Sequence, residues 1–293
     1  MIALLLLASV IFNTAILVVF KYFANLGVDI YKAIIYNYFV CIVMGVFFTG
    51  QWPLLSAFGE PYLPYMIFLG AIFVFGFNIA ALTVRYYGLT ITSILQRTAM
   101  VITVIYAVVV FNESLGALKI TAIVCALIAI TLINMPFRKP VKKILDVPVW
   151  AYLLPLTMFL INGVIDTTLF HIEASKITTT ANLRMITGIF TCAAITGIIF
   201  GYFKEGHAFF RPAKKTLWAA LALGLPNFFS IYFLLRLLGS GLDGSIAIPM
   251  NNVGILCLAA VLGFFMFGER LTVYKTWGLV LAIISVILFS QVI

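Results

Sequence analysis

Charged residues are scarce in this sequence, and their scarcity excludes an ordinary soluble fold. Only 9% of the 293 residues are charged, whereas 64% are hydrophobic. A typical soluble domain has about 25% charged and about 45–50% apolar residues. The mean hydropathy is +1.19. A soluble chain of this composition could not cover its surface with polar groups, so lipid must surround much of it.

Patterns for metal binding, disulfide bonding and catalysis are also missing. The four cysteines lie inside apolar runs without CxxC spacing, and neither they nor His171 and His207 form a ligand pattern. The sequence has no G-x-S-x-G, H-E-x-x-H or P-loop motif. We therefore expect no enzyme activity, no cofactor, no metal and no ATP hydrolysis by this chain.

The net charge of +9 indicates a membrane surface rather than nucleic acid. The basic residues lie at the ends of apolar runs and in short loops, where anionic lipid headgroups and the topology of a membrane protein explain them. The expected partners are therefore the lipid bilayer and a small-molecule substrate, and no nucleic acid.

Continuous apolar runs of about 20 residues predict transmembrane helices, because a helix needs about that length to cross the hydrocarbon core. Transmembrane barrel strands would alternate apolar and polar residues instead. The first run lacks the basic start and cleavage site of a signal peptide, so we interpret it as a span. The predicted fold is all-α with ten spans, at 2–21, 31–50, 62–84, 89–111, 117–135, 149–170, 180–203, 215–237, 244–267 and 271–292.

The distribution of Lys and Arg predicts that both termini face away from the cytoplasm. Thirteen of these residues fall in loops on one side of the predicted membrane. The other side has four, namely Lys119, Lys176, Arg184 and Arg236. The remaining one, Arg97, lies within a span.

The sequence contains an internal repeat that divides it into two related halves. At a constant offset of 156, Phe111, Glu113 and Lys119 coincide with Phe267, Glu269 and Lys275. The prediction is a first five-helix repeat at 1–137, a basic linker at 138–148 and a second five-helix repeat at 149–293. An odd number of spans inverts the second repeat, an arrangement found in secondary transporters with a substrate site at the midplane.

The segments "FNESL" (111–115) and "FGERL" (267–271), each followed by an apolar fifth helix, resemble the EamA-type transporters of the drug/metabolite transporter superfamily. The resemblance extends over the whole chain through its length, ten spans and short loops. It implies a secondary carrier for small metabolites such as amino acids, often acting outward. That family commonly has a proline about thirteen residues before each motif glutamate, where this sequence has Met100 and Leu256.

Arg97 is the strongest candidate for a substrate-binding residue. A charge within the bilayer costs at least about 2.5–3.5 kcal/mol, so it should face a cavity or a partner. The repeat aligns Gln96 with Asn252 and places Asn251 beside them. One interpretation is a polar cluster in which Arg97 binds a substrate carboxylate. The alternatives are a buried structural pair and a side chain that reaches the headgroups.

Asp166 is the candidate for proton coupling, because it is the only carboxylate well inside a predicted span. The alternative is a structural ion pair with Arg184.

Other polar residues in apolar helices are weaker candidates. Two amide pairs and two tyrosines could line a cavity or only bond to neighbouring helices: Asn13 and Asn162, Asn78 and Asn227, and Tyr36 and Tyr106. Glu113 and Glu269 lie in short turns before helices, where the positive end of the helix dipole stabilises a negative charge. We therefore interpret them as structural, with gating as the alternative.

These features together predict a secondary active transporter that exports small metabolites by alternating access. A membrane-embedded enzyme and a channel or assembly protein without carrier activity are the alternatives. The short loops favour a bacterial inner membrane, and the chain is expected to act as a monomer or homodimer.

Overall fold

The computed structural model describes residues 1–52, 54, 57–135, 148–268 and 272–292. Within these ranges every regular element is helical, which confirms the prediction of an all-α polytopic membrane protein. The described residues form ten α-helices, and short 3₁₀ helices lie among them at Val149–Leu153 and Gly206–Phe210. The α-helices are α1 Ile2–Leu26, α2 Ile30–Thr49, α3 Leu63–Thr98, α4 Met100–Phe111, α5 Ala117–Ile133, α6 Leu154–Ala174, α7 Leu183–Glu205, α8 Lys214–Leu238, α9 Gly244–Phe267 and α10 Val273–Ser290.

Local sequence accounts for many of the helix ends. Gly27, Gly50 and Gly268 adopt left-handed conformations that close α1, α2 and α9, as glycine does at many helix C-termini. At the other end, the Asn182 side chain accepts the N–H groups of Arg184 and of Met185 at the start of α7, which satisfies donors that have no partner within the helix.

Nine helical segments in the described part of the chain are long and apolar enough to cross a membrane. The helix Ala117–Ile133 is also apolar but has only 17 residues. The protein is therefore an integral, multi-pass membrane protein. The helix bounds lie within a few residues of the predicted spans, except between the third and fourth.

The third and fourth predicted spans agree with the apolar segments Leu63–Tyr87 and Ile91–Phe111, but the chain between them is helical rather than a loop, because α3 continues through 85–88. A single glycine costs only about 1 kcal/mol in a helix, and continued hydrogen bonding spares the backbone from lipid. The interruption instead falls at Ala99, between α3 and α4. The Thr98 hydroxyl donates to the Ile94 carbonyl at 2.8 Å, a bond that competes with the helix and often bends it.

The helices form two compact units, and each contains parts of both predicted repeats. The first consists of residues 1–74 and 171–240, and the second of residues 75–170 and 241–293. The first unit thus contains α1, α2, the start of α3, α7 and α8. The second contains the rest of α3, most of α6, and α4, α5, α9 and α10. The boundary between the repeats remains a prediction from the sequence.

In the first unit, α2 packs against α7 through two reciprocal glycine contacts. A Cβ at Gly45 would lie 1.9 Å from the Thr187 hydroxyl, and one at Gly197 would lie 2.8 Å from Ile35. Each glycine therefore lets the opposite helix approach closely. Because the late residue of each helix meets the early residue of the other, α2 and α7 are antiparallel.

In the second unit, α5 packs along α10 and also contacts α9. The Ser285 hydroxyl donates to the Ala122 carbonyl at 2.8 Å, and a Cβ at Gly278 would meet Ile133 at 2.8 Å. The early residue of α5 again meets the later residue of α10, so this pair is antiparallel as well.

Candidate functional site

Arg97 joins α3 to α9 through a direct side-chain contact in the second unit. Its Nη1 donates to the Asn252 Oδ1 at 2.9 Å. Arg97 is partly buried and lies in the last turn of α3, two residues before the interruption at Ala99. The structure therefore brings Arg97 into contact with Asn252, and Arg97 lies within the apolar segment Ile91–Phe111, as predicted, although α3 ends one residue later.

Asn252 is almost completely buried and has an unused hydrogen-bond donor. It is 4% exposed and Asn251 is 5% exposed. Its Nδ2 has no hydrogen-bond partner in the described residues. Leaving such a group without a partner costs about 1–3 kcal/mol. The guanidinium and the unused amide N–H together offer donors to an anionic or carbonyl oxygen.

Asp166 supplies a carboxylate that interacts electrostatically with Arg97. Both side chains are partly buried. The ion pairs found at 4.0 Å or closer among the described residues do not include this pair. Arg97 and Asp166 thus attract each other without forming a direct ion pair. The predicted pairing of Asp166 with Arg184 stays a prediction, since Arg184 belongs to the first unit.

Neighbouring contacts hold α6, which contains Asp166, against α4. The Thr103 and Thr167 hydroxyls lie 3.1 Å apart. A Cβ at Gly163 would lie 2.2 Å from Ile102, so only glycine allows this approach. Asp166 therefore sits on a helix face that is closely packed against the helix following Arg97.

The remaining candidates in the second unit are less directly placed. Gln96 is exposed, and the Tyr106 ring packs edge-on against Phe111 with centroids 6.0 Å apart. Asn78 makes interactions of its own.

Asn13 and Asn162 make equivalent bonds on their own helices. The Asn13 Nδ2 donates to the Ser9 carbonyl at 3.0 Å, and the Asn162 Nδ2 donates to the Met158 carbonyl at 2.8 Å. The donor in each case is thus engaged by a carbonyl four residues earlier, which is the bonding expected of an amide that satisfies itself in an apolar helix.

In the first unit, Asn227 belongs to a buried amide pair. Its Nδ2 donates to the Asn37 Oδ1 at 2.8 Å, and the Asn37 Nδ2 donates to the Ile34 carbonyl. The Tyr36 hydroxyl donates to the Phe209 carbonyl at 3.3 Å, with the two rings stacked. These contacts join α2 to α8 and to the 3₁₀ helix at Gly206–Phe210.

A polar cavity of about 310 Å³ lies where α7 begins in the first unit. Arg184, Asn182 and three threonines line it, Thr49, Thr179 and Thr180. Nearby, burial raises the pKa of Tyr62, with a smaller contribution from the negative charge of Glu60. The cavity offers hydroxyl and guanidinium donors at the end of a membrane-spanning helix.

Glu113 caps the start of α9, whereas the sequence suggested that it would act at the start of the helix that follows it, α5. Its carboxylate accepts the Gly244 N–H at 2.7 Å, the Ser245 N–H at 3.0 Å and the Ser245 hydroxyl. Glu269 lies outside the described residues.

Three charged or polar groups were not expected from the sequence. Lys119 is only 1% exposed and its Nζ contacts the Asp243 carboxylate at 2.7 Å. Lys32 contacts Glu205 at 2.7 Å. Asn37 is fully buried. Of these three, only Lys119 stood out in the sequence, as part of the repeated motif. Its partner could not be predicted, since Asp243 lies 124 residues away.

In the described part of the chain, no group of three or more His, Cys, Asp or Glu residues could hold a metal ion, and the cysteines are free.

Comparisons with known proteins establish the fold but not the family. No protein-family model matches the chain. An uncharacterized protein of Haemophilus influenzae is 23% identical over 288 residues, covering 96% of this chain and 95% of its own length. A protein known from a crystal structure is 9% identical and has a TM-score of 0.77, covering 99% of this chain and 96% of its own. The likeness to this structure concerns the fold alone.

Proposed function

We propose that this protein is a secondary active transporter of small metabolites, of the EamA type, that works by alternating access. The observation that carries the proposal is the contact between Arg97 and Asn252, which leaves a buried amide N–H unused beside a guanidinium. A charge in an apolar bundle is costly and usually serves a substrate or ion pathway.

The donors at this site suit a substrate with a carboxylate or another anionic oxygen. Arg97 has further N–H donors beyond the one given to Asn252, and the Asn252 Nδ2 adds another. A carboxylate could accept from both. Asp166, attracted to Arg97 without pairing with it directly, would face a positively charged group of the same solute or bind a proton.

The helix packing supports an inverted repeat, an arrangement found in many transporters that work by alternating access. Helices with the same place in the two repeats pack against each other, namely α2 with α7, α4 with α9 and α5 with α10. The contacts Gly45–Thr187 and Gly197–Ile35 exchange under an offset of 152. Reciprocal contacts of this kind are those that a twofold axis produces, and the antiparallel course of α2 and α7 agrees with an axis in the membrane plane.

Proton coupling through Asp166, export of the substrate, a bacterial inner membrane and non-cytoplasmic termini complete the proposal. They rest on the sequence: the position of Asp166, the EamA resemblance and the Lys/Arg distribution. The protein would act as a monomer or a homodimer, since ten spans suffice for one pathway.

A counterflow experiment tests the proposal. The purified protein is reconstituted into liposomes preloaded with amino acids, nucleosides, sugars or organic cations, and uptake of the labelled solute is measured. We expect saturable exchange of a carboxylated solute that is lost or much weakened by Arg97→Gln, with Arg97→Lys as the charge-matched control. Non-saturable flux would indicate a channel, a chemically altered solute an enzyme, and exchange indifferent to Arg97→Gln a structural role for Arg97.

A further inference from the structure

The start of α9 is held by a network of three charged residues from different parts of the chain. Glu113 accepts two backbone N–H groups and the Ser245 hydroxyl. Lys119 donates to the Asp243 carboxylate at 2.7 Å and to the Ser245 hydroxyl at 3.1 Å. We call Glu113, Lys119, Asp243 and Ser245 the α9 latch.

The division of roles within the α9 latch is unusual for a helix start. Asp243 occupies the N-cap position of α9 but makes no side-chain cap bond. Lys119 engages its carboxylate instead, and Glu113 supplies the cap from the segment between α4 and α5. The helix start is therefore fastened to other elements rather than to itself, so its position depends on these contacts.

A proline separates the latched turn from the rest of α9. Pro249 lies inside the helix and has no N–H to donate to the carbonyl four residues earlier, that of Ser245. The first turn is thus joined to the helix body by fewer hydrogen bonds. Asn252, the partner of Arg97, follows three residues after Pro249.

The repeat contains no second copy of the α9 latch. At the offset of 156, Glu113 and Lys119 have counterparts in Glu269 and Lys275. Asp243 and Ser245, however, correspond to Tyr87 and Leu89, and the Tyr87 hydroxyl donates to the Ala151 carbonyl. The first repeat thus has no carboxylate at the position of Asp243 and no hydroxyl at the position of Ser245.

We propose that the α9 latch is a gate: Glu113 and Lys119 hold the first turn of α9 closed over the Arg97–Asn252 site, and their release opens the site toward the membrane face at which α9 begins. The inference rests on the proposed transport function and adds the residues that control access. Glu113 and Lys119 are positioning residues, since they act through α9.

A cysteine-accessibility experiment in proteoliposomes tests the gate. Ala247 lies in the latched segment and is fully buried, so Ala247→Cys reports opening through its reaction with an impermeant maleimide. The parent protein without this cysteine gives the background of Cys41, Cys125, Cys192 and Cys257. Glu113→Ala and Lys119→Met are each combined with Ala247→Cys, and Glu269→Ala is the matched control from the other copy of the motif.

We expect Glu113→Ala and Lys119→Met to raise the labelling rate about tenfold or more, the factor that corresponds to about 1.4 kcal/mol of lost hydrogen bonding. Labelling should rise from one membrane face only, Glu113→Gln should give an intermediate rate, and Glu269→Ala should leave it unchanged. Unchanged rates in both latch variants, or an equal rise with Glu269→Ala, would overturn the gate.

The readout separates the gate from transport itself. If labelling follows the expectation while the parent protein exchanges no solute, the first turn moves as described and the transport proposal fails. If solute exchange is saturable while labelling stays flat, transport stands and the gate is refuted. In proteins that do exchange, a shift of KM in the latch variants at unchanged protein stability would add support.

Discussion

The hydrogen bond between Arg97 and Asn252 gives a stability prediction that does not depend on knowing the substrate. The perturbations are Arg97→Met and Asn252→Leu, which keep the side-chain length or volume and remove the polar groups. Arg97→Met leaves the amide of a 4% exposed asparagine without its partner at 2.9 Å. It also removes a charge from the apolar bundle. The two effects oppose each other, so the single variant alone decides nothing.

A double-mutant cycle isolates the bond from these opposing effects. A hydrogen bond to a charged group contributes about 1.5–3 kcal/mol in soluble proteins, whereas polar bonds between membrane helices average about 0.6 and reach about 1.7 kcal/mol. Water cannot replace the bond at buried Asn252, but partly exposed Arg97 has other donors to use. We therefore expect a coupling free energy of about 1–1.7 kcal/mol.

The measurement is reversible unfolding of the parent, both single variants and the double variant in mixed micelles, followed by far-ultraviolet circular dichroism. Thr121→Val serves as the control partner for Arg97→Met, because the Thr121 hydroxyl is exposed and bonds only to its own helix; this pair should be additive. A coupling below about 0.5 kcal/mol for Arg97 and Asn252, which is the scatter between independent sites, would refute the contact.

Three further predictions concern coupling, packing and topology. Asp166→Asn should abolish the acceleration of transport by a pH gradient while counterflow continues, and a retained gradient response would exclude Asp166 as the coupling group. Gly278→Ala should lower the free energy of unfolding by about 1–3 kcal/mol, since its Cβ would lie 2.9 Å from the Ile133 backbone nitrogen, whereas the Cβ of Gly116→Ala would meet nothing within 4 Å, so that this variant should cost only the smaller loss of an N-cap glycine. Alkaline phosphatase fused to the C-terminus should be active and a fluorescent protein there dark; the reverse pattern would place the termini in the cytoplasm.

The number and position of the apolar helices could be predicted from the sequence because the bilayer sets their length. Each run must supply about 20 apolar residues, and charge, glycine and proline mark where it stops. The interruption at Ala99 could not be predicted in the same way. No residue type around Ala99 breaks a helix outright, and the Thr98 bond to the Ile94 carbonyl, which lies beside the interruption, is visible only in the structure.

The site was predictable only where the internal repeat gave a pairing. The alignment of Gln96 with Asn252 predicted that α3 and α9 lie close together. The observed partner of Asn252 is Arg97, the residue after Gln96. Lys119 shows the opposite case. Its charge suggested a loop residue, yet it is 1% exposed, since Asp243 and Ser245 compensate its burial from a distant part of the chain.

The reciprocal glycine contacts of α2 and α7 bear on which conformation such a chain favours at rest. The two contacts occupy equivalent places, but Gly45 faces a threonine and Gly197 faces an isoleucine. If motion loosens one contact while it tightens the other, the resting population depends on the difference between them. One methylene is worth about 0.8 kcal/mol of burial, which changes a two-state ratio about fourfold. A single substitution at either contact, outside the solute-binding site, would then be enough to change which of the two conformations predominates when no solute is bound.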